Sequence, residues 1–139
     1  MNPILKNILA VIVGLIVGSI VNMLLLGING SIIPLPDGAD VSSYEGLRES
    51  MKLFGPEHYI APFAAHAGGT LVGAFLAALI AASHKIRFAM LIGALFFIGG
   101  LINVFMLGSP LWYSIIDLLF AYLPMAWFGY KIAGKFSKN

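Results

Sequence analysis

Apolar positions dominate four long stretches of the chain and predict four membrane-spanning helices. Each stretch holds about 20 residues or more, the length that a helix needs to cross the hydrocarbon core of a bilayer. The predicted spans are about 8–27, 59–83, 88–108 and 110–131. Because the spans occupy most of the chain, the pattern predicts a single all-α domain over residues 1–139, a polytopic four-helix transmembrane bundle.

The loop predicted at 28–58 contains the pattern of a short amphipathic helix. Its apolar side chains recur at helical spacing at Tyr44, Leu47, Met51 and Phe54. Ser42 stands three residues before Glu45, which is the spacing of a capping box, and Pro56 ends the pattern. We expect this helix to lie on the outer membrane surface or to cap the bundle.

The second span carries a small residue at every fourth position, which on a helix forms one continuous ridge. The small-residue ridge consists of Ala61, Ala65, Gly69, Gly73, Ala77 and Ala81. Such residues let helix backbones approach closely in lipid. From so long a ridge in so small a bundle we expect a homo-oligomer, or a place in a larger membrane complex, surrounded by membrane lipid.

Each predicted span contributes one strongly polar residue. These residues are Asn22, His66, Asn103 and Asp117. Since successive helices run in opposite directions, all four fall roughly 6–12 Å below one membrane boundary, from the rise per residue. Ionisable side chains inside a membrane are costly and mark functional sites. The predicted ligand-binding residues are His66, Asp117, Asn22, Asn103, Thr70 and Tyr113. Pro124, further along the fourth span, predicts a kink.

Two interpretations of this polar layer stay open. It forms either a dry hydrogen-bonded layer, as suits a structural or accessory subunit, or the border of a cavity that binds or passes a proton, a cation or a small polar ligand. An interfacial lipid-modifying enzyme is disfavoured, because His66 and Asp117 resemble two parts of a catalytic triad without an elbow or oxyanion feature. No catalytic set, metal site or cofactor motif is predicted. In length and number of spans the chain resembles small multidrug transporters and fluoride channels, and no motif extends that resemblance to a family.

The charges predict location and orientation. With 60% hydrophobic and 10% charged residues, the chain differs sharply from soluble proteins, in which about a quarter of the residues are charged. Basic residues flank one side of the predicted membrane at Lys6, Lys85, Arg87, Lys131, Lys135 and Lys138. Only Arg48 and Lys52 fall on the other side, so the positive-inside rule predicts a multi-pass protein of the cell membrane with both termini cytoplasmic.

Two further features of composition bear on partners and on the membrane interface. The scattered basic residues form no patch with interleaved aromatics, so no nucleic-acid partner is expected. Aromatic residues near the span ends fit interfacial belts. They are Tyr59, Trp112, Tyr113, Trp127 and Tyr130.

Overall fold

The computed structural model describes residues 1–137, without the side chain of Asn29, and it is built from helices. Of the chain, 82% is helical, and the described residues contain no strand. The α-helices are α1 (Pro3–Ile32), α2 (Tyr44–Ser50), α3 (Ile60–Ile80), α4 (Lys85–Leu107), α5 (Leu111–Phe120) and α6 (Leu123–Phe136). Short 3-10 turns at Met51–Leu53 and Pro56–Tyr59 join α2 to α3. Lys138, one of the basic residues used above, lies outside the described residues.

Four helical segments are long and apolar enough to cross a membrane, as the hydrophobic pattern predicts. They are Pro3–Ile32, Pro56–Ile80, Lys85–Leu107 and Leu111–Phe136. The first segment is longer than predicted, because α1 continues through residues 28–32 instead of ending at residue 27. Its outer face exposes a row of large apolar side chains at Ile8, Ile12, Ile16 and Ile20. A row of this kind suits contact with lipid chains and indicates a membrane protein.

Helix α3 lies at the centre of the bundle, and α1 packs antiparallel along its small-residue ridge. A Cβ atom added at Gly18 would lie 2.7 Å from the carbonyl oxygen of Gly69, and one added at Gly14 would lie 2.7 Å from that of Gly73. Every member of the ridge is buried. The ridge is therefore covered by the chain's own first helix, and it no longer gives a reason to expect association with another protein.

The opposite side of α3 receives α6, with α4 alongside. A Cβ atom at Gly129 would lie 2.5 Å from the carbonyl oxygen of Leu71, and one at Gly93 would lie 2.6 Å from the Cβ of Ala126. The buried core between these helices consists almost entirely of alanine, with Ile92 as its large side chain. Small residues thus set the spacing on both sides of the central helix.

The fourth span is broken, and the break follows from Pro124. Helix α5 ends at Phe120 and α6 begins at Leu123, with Tyr122 between them in a non-helical conformation (φ −116°, ψ −81°). Proline supplies no N–H and clashes with the preceding turn, which interrupts the helical hydrogen bonding. Because of the break, the side chain of Tyr122 does not follow the angular spacing of a regular helix.

The connection between α1 and α3 holds the short helix α2, whose start differs by one residue from the prediction. The N-cap is Ser43, whose Oγ accepts from the Gly46 N–H at 3.0 Å. Ser42, the predicted cap, instead donates its hydroxyl to Asp40 Oδ1 at 2.6 Å. The hydrogen bonds from Ser42 lower the pKa of the exposed Asp40 carboxyl. Helix α2 also ends sooner than predicted, at Ser50, where the chain tightens into the 3-10 turn Met51–Leu53. The hydroxyl of Ser50 donates to the carbonyl oxygen of Asp40 at 3.0 Å.

The start of α1 and the end of α6 lie at one end of the bundle, together with the turn between α3 and α4. The side-chain oxygen of Asn7 accepts from the Ala82 N–H at 2.8 Å, which joins the start of α1 to the end of α3. At the same end, the Lys85 ammonium donates to the hydroxyl of Ser137 at 3.3 Å. Helix α2 and its loops lie at the other end, where Tyr44 bonds to Asn103.

Candidate functional site: a buried histidine–aspartate pair beside a cavity

Asp117 and His66 meet inside the bundle. Nδ1 of His66, on α3, lies 2.8 Å from Oδ1 of Asp117, on α5. Tyr122 donates its hydroxyl to Oδ2 at 3.0 Å, and Tyr113 donates to Oδ1 at 3.4 Å. Asp117 is only 2% exposed, so its carboxylate is satisfied by three protein donors instead of water. When Asp117 is ionised its carboxylate only accepts, and the proton of the histidine–aspartate hydrogen bond then belongs to Nδ1 of His66.

The second nitrogen of His66 is the chemically available atom of the pair. Nε2 lies on the side of the ring away from Nδ1, and the described residues supply no hydrogen-bond partner for it. The His66 side chain is 20% exposed, and its ring stacks on that of Tyr122 with centroids 5.8 Å apart. With Nδ1 protonated, Nε2 presents a lone pair that can accept a hydrogen bond or take up a proton.

A cavity of about 440 Å³ lies beside His66, between α1, α3 and α4. Its lining combines polar side chains with aromatic and glycine surfaces. The lining residues are Gly18, Ser19, Asn22, Met23, Tyr44, His66, Gly69, Thr70, Phe96, Gly99, Gly100, Ile102, Asn103 and Tyr122. The volume falls within the range of about 300–1,000 Å³ that is usual for small-molecule sites.

The two asparagines flank this cavity instead of completing a hydrogen-bonded layer. Asn22 lines it from α1 and Asn103 from α4. Within residues 1–137, neither amide bonds to His66 or Asp117, and the side-chain oxygen of Asn103 accepts from the Tyr44 hydroxyl at 3.1 Å. The continuous chain from amide to imidazole to carboxylate, which the dry interpretation requires, is thus missing. The cavity separates its parts.

Thr70 and Tyr113, the remaining predicted site residues, are both buried. Thr70 is 1% exposed and lines the cavity, and its hydroxyl has no hydrogen-bond partner among the described residues. Such a buried polar group costs free energy unless a ligand or water satisfies it. Tyr113 contacts Asp117 and packs against Tyr59, with ring centroids 4.7 Å apart. Tyr59 and Tyr113, both suggested above for an interfacial belt, are therefore buried within the protein.

Sequence reasoning missed Tyr122, which holds the second oxygen of Asp117. The two residues are five positions apart, a spacing at which helical side chains do not meet. Only the break before Pro124 brings them together. Gly100 on α4 gives Tyr122 its room, because an added Cβ atom there would collide with the Tyr122 hydroxyl. One signal in the sequence could have indicated this role: Tyr122 stands beside a predicted kink, and a buried tyrosine hydroxyl needs a hydrogen-bond partner.

The charge at the site depends on the His66–Asp117 pair, because no basic side chain lies beside it among the cavity-lining residues. The lysines and arginines of the spanning segments lie toward the helix ends, and none lines the cavity. Across residues 1–137, no three His, Cys, Asp or Glu side chains come together in a group that could hold a metal ion. With its ring neutral, the pair carries one negative charge next to the cavity.

No protein-family model, curated protein or solved structure matches this chain. The site is therefore interpreted from its own residues and geometry.

Proposed function

We propose that this chain is a small integral membrane protein whose polar intramembrane site, at His66 in the outer half of the bilayer, binds or passes a proton, a cation or a small polar ligand. The observation that carries the proposal is the pairing of His66 Nδ1 with Asp117 while the same ring borders a cavity of about 440 Å³. A carboxylate that accepts from one ring nitrogen of a histidine fixes its tautomer and leaves the other nitrogen free to accept. Nε2 is thus prepared as an acceptor.

Unsatisfied polar groups around the cavity support a binding role. The hydroxyl of Thr70 has no protein partner in the described part of the chain, and the Asn22 amide makes no hydrogen bond to the pair. A purely structural layer in a membrane would gain by pairing these groups with each other. The half-buried Asn22 amide borders the open volume and favours a site that a ligand or water completes, whereas the Thr70 hydroxyl is buried away from that volume.

The accessory-subunit alternative has one observation in its favour. The ridge on α3 is fully covered by α1, as expected of a self-contained bundle. The same alternative requires a dry, fully paired layer, and the separated asparagines argue against that. Oligomerisation stays a prediction, as does membership in a larger complex.

The enzyme alternative also has a cavity to use, but it lacks an activated nucleophile. Ser19 and Thr70 both line the cavity, yet neither hydroxyl is hydrogen-bonded to His66 within residues 1–137. A nucleophilic mechanism needs the hydroxyl within reach of its base. A binding site therefore explains the arrangement without the activated nucleophile that an enzyme would need.

Orientation in the membrane is part of the proposal. The end that carries Lys6, Lys85 and Lys135 also holds the start of α1 and the end of α6, and we assign it to the cytoplasm by the positive-inside rule. The cavity and α2 then belong to the outer half of the protein. Protease protection of a tag at residue 1 in sealed inverted and right-side-out vesicles tests this assignment.

Proton flux in reconstituted vesicles tests the binding and permeation proposal. A pH-sensitive dye inside the vesicles reports flux under an imposed pH gradient. We expect flux with the native chain and its loss in His66→Asn and Asp117→Asn, because each variant removes one half of the pair. His84→Asn is the matched control: it also replaces a histidine by asparagine, but in the exposed turn at the other end of the bundle.

Circular dichroism and gel filtration establish that the variants are folded. Equal flux in the native chain, His66→Asn and Asp117→Asn, with folding preserved, would contradict the proposed role of the pair. Loss of flux in His84→Asn as well would show that the readout follows general damage to the protein.

A further inference from the structure

We infer that the ligand is an amphiphilic amine, an apolar molecule with a primary or secondary ammonium head, that enters the cavity sideways from the lipid between α1 and α4. This inference rests on the proposed function, since it names the ligand class of the same site. It depends on three observations: the size of the cavity, the nature of its mouth, and the charge and hydrogen-bonding character of its floor.

The size of the cavity favours an organic ligand over a bare ion. A volume of about 440 Å³ is more than ten times the share of one water molecule in the liquid, which is about 30 Å³. A proton on Nε2 needs no such space. A metal ion needs several ligands around a small volume, and the described residues hold no group of three metal-binding side chains.

The mouth of the cavity lies between α1 and α4, among exposed apolar side chains. Near the middle of the two helices, α1 and α4 touch where Gly18 meets the ring of Phe96, since a Cβ atom there would lie 2.9 Å from Phe96 Cε2. Beyond this contact both helices line the cavity, and exposed apolar side chains of each, Met23 and Ile102, form its rim. Gly99 at the rim has no atom within 4 Å of an added Cβ.

At the end nearer α2, Tyr44 lines the cavity and donates its hydroxyl to Asn103. The opening between the helices therefore lies along the spanning segments, where exposed residues contact acyl chains. A ligand that reaches His66 by this route carries an apolar body, which remains in contact with the rim and with lipid.

The floor of the cavity selects the head group. Nε2 of His66 offers a lone pair, so the head must donate a hydrogen bond. The Asp117 carboxylate behind the ring leaves one negative charge without a lysine or arginine among the cavity-lining residues. The rings of Phe96 and Tyr122 line the same space and offer their faces to a cation. An ammonium head satisfies all three features, whereas a carboxylate or phosphate head satisfies none.

Binding of radiolabelled dodecylamine to the native chain in phosphatidylcholine nanodiscs tests the inference, with empty nanodiscs subtracted to remove partitioning into lipid. The choline head has no N–H, so this lipid does not supply the proposed donor. We expect saturable binding that dodecanoate and methylamine compete for at least about tenfold less effectively than unlabelled dodecylamine. The factor of ten corresponds to the loss of one charge-assisted hydrogen bond or of the apolar body.

Two pairs of variants locate the site and the route. Gly99→Phe fills the mouth at a position with free space and should weaken dodecylamine binding by at least about tenfold, whereas Gly27→Phe, the same change on a free surface of α1, should not. His66→Asn keeps a donor toward Asp117 but loses the acceptor that faces the cavity, and it should weaken binding by a similar factor. His84→Asn should leave binding unchanged.

The outcomes separate this inference from the proposed function. If binding depends on His66 but not on Gly99, and methylamine competes as well as dodecylamine, the site stands and entry from the lipid is wrong. Equal competition by dodecanoate would refute the reasoning from charge. No saturable dodecylamine binding overturns the inference, while proton flux that depends on His66 would still support the proposed function.

A further arm of the experiment identifies the source of the ammonium head. Phosphatidylethanolamine carries the same primary ammonium on a membrane lipid. If nanodiscs that contain it reduce dodecylamine binding to the native chain, a lipid headgroup is the natural source of the ligand. If they leave binding unchanged, the source is a free amphiphilic amine. Both results support an ammonium-binding site.

Discussion

Replacement of Gly100 by alanine isolates the contact that places Tyr122 on Asp117. An added Cβ atom at Gly100 would collide with the Tyr122 hydroxyl, and it would lie 2.6 Å from Cζ and 2.8 Å from Cε2 of the same ring. Real side-chain carbons do not approach so closely, so the ring must shift. The shift breaks the 3.0 Å hydrogen bond from the Tyr122 hydroxyl to Oδ2 of Asp117.

The expected cost combines a lost hydrogen bond with overpacking. Hydrogen bonds between helices in membranes contribute about 0.6 kcal/mol on average and up to about 1.7 kcal/mol. Because Tyr122 donates this hydrogen bond to a buried carboxylate, we take the upper part of that range. Extra carbon atoms in a packed interior cost about 1–3 kcal/mol. Together these effects predict that Gly100→Ala lowers the free energy of unfolding by about 2–4 kcal/mol.

Gly99→Ala is the matched control, one residue away on the same helix. No atom lies within 4 Å of its added Cβ, and alanine favours the helix over glycine by up to about 1 kcal/mol. We therefore expect this variant to be as stable as the native chain or slightly more stable. Reversible unfolding in mixed micelles of increasing sodium dodecyl sulfate content, followed by circular dichroism, measures both variants.

A double-mutant cycle with Tyr122→Ala tests the cause. Alanine lacks both the hydroxyl that bonds to Asp117 and the ring atoms that meet the added Cβ at Gly100, so Gly100→Ala should lower the free energy of unfolding less in this background, by at least about 1 kcal/mol. Equal costs in the two backgrounds would refute the reasoning, because Tyr122 would then not be what Gly100 accommodates. Equal destabilisation by Gly99→Ala would show that any added carbon on α4 is harmful.

The remaining predictions concern the helix packing and the loop. Gly73→Leu should lower the free energy of unfolding by more than about 3 kcal/mol or prevent folding, because its Cβ would lie 2.6 Å from a backbone carbonyl oxygen of α1. Gly27→Leu, on a free surface of the same bundle, should leave the stability unchanged. Similar stabilities of the two variants in micelles would contradict the packing of α1 on α3. Hydrogen bonds from Ser42 lower the pKa of Asp40, so their contribution to loop stability is present above the ordinary aspartate pKa of 3.8 and is lost as the pH falls through the lowered value. Titration by carbon-13 NMR should show this pKa rising toward 3.8 in Ser42→Ala, and no change would rule out the Ser42 contact.

The hydrophobic pattern was sufficient for the four spanning segments because span length and apolarity are local properties of the sequence. The partner of the ridge on α3 was not accessible in this way. Gly14 and Gly18 on α1 show the same small-residue spacing, but spacing alone does not distinguish a helix of the same chain from one of another copy. The close approach of Gly18 to the carbonyl oxygen of Gly69 decides that point.

The site could be predicted in its residues but not in its connections. The depth calculated along helices of alternating direction predicted that His66 lies at the level of Asp117, and in the structure the two side chains are hydrogen-bonded. Depth does not report the angle of a side chain around its helix, so the sequence could not show that Asn22 and Asn103 stand on opposite walls of a cavity. The contact of Tyr122 with Asp117 depends on backbone geometry at the break, which side-chain spacing in a regular helix does not describe.

Nitrogen-15 NMR of the His66 ring in nanodiscs tests the central claim most directly. With histidine-labelled protein, and with His66→Asn to assign the signals, the account predicts that the neutral ring carries its proton on Nδ1 and has an unprotonated Nε2 that shifts when dodecylamine is added. The Nδ1 signal should change in Asp117→Asn. An unprotonated Nδ1, or an Nε2 signal that responds neither to pH nor to the amine, would contradict the claim that Asp117 orients His66 toward a binding cavity.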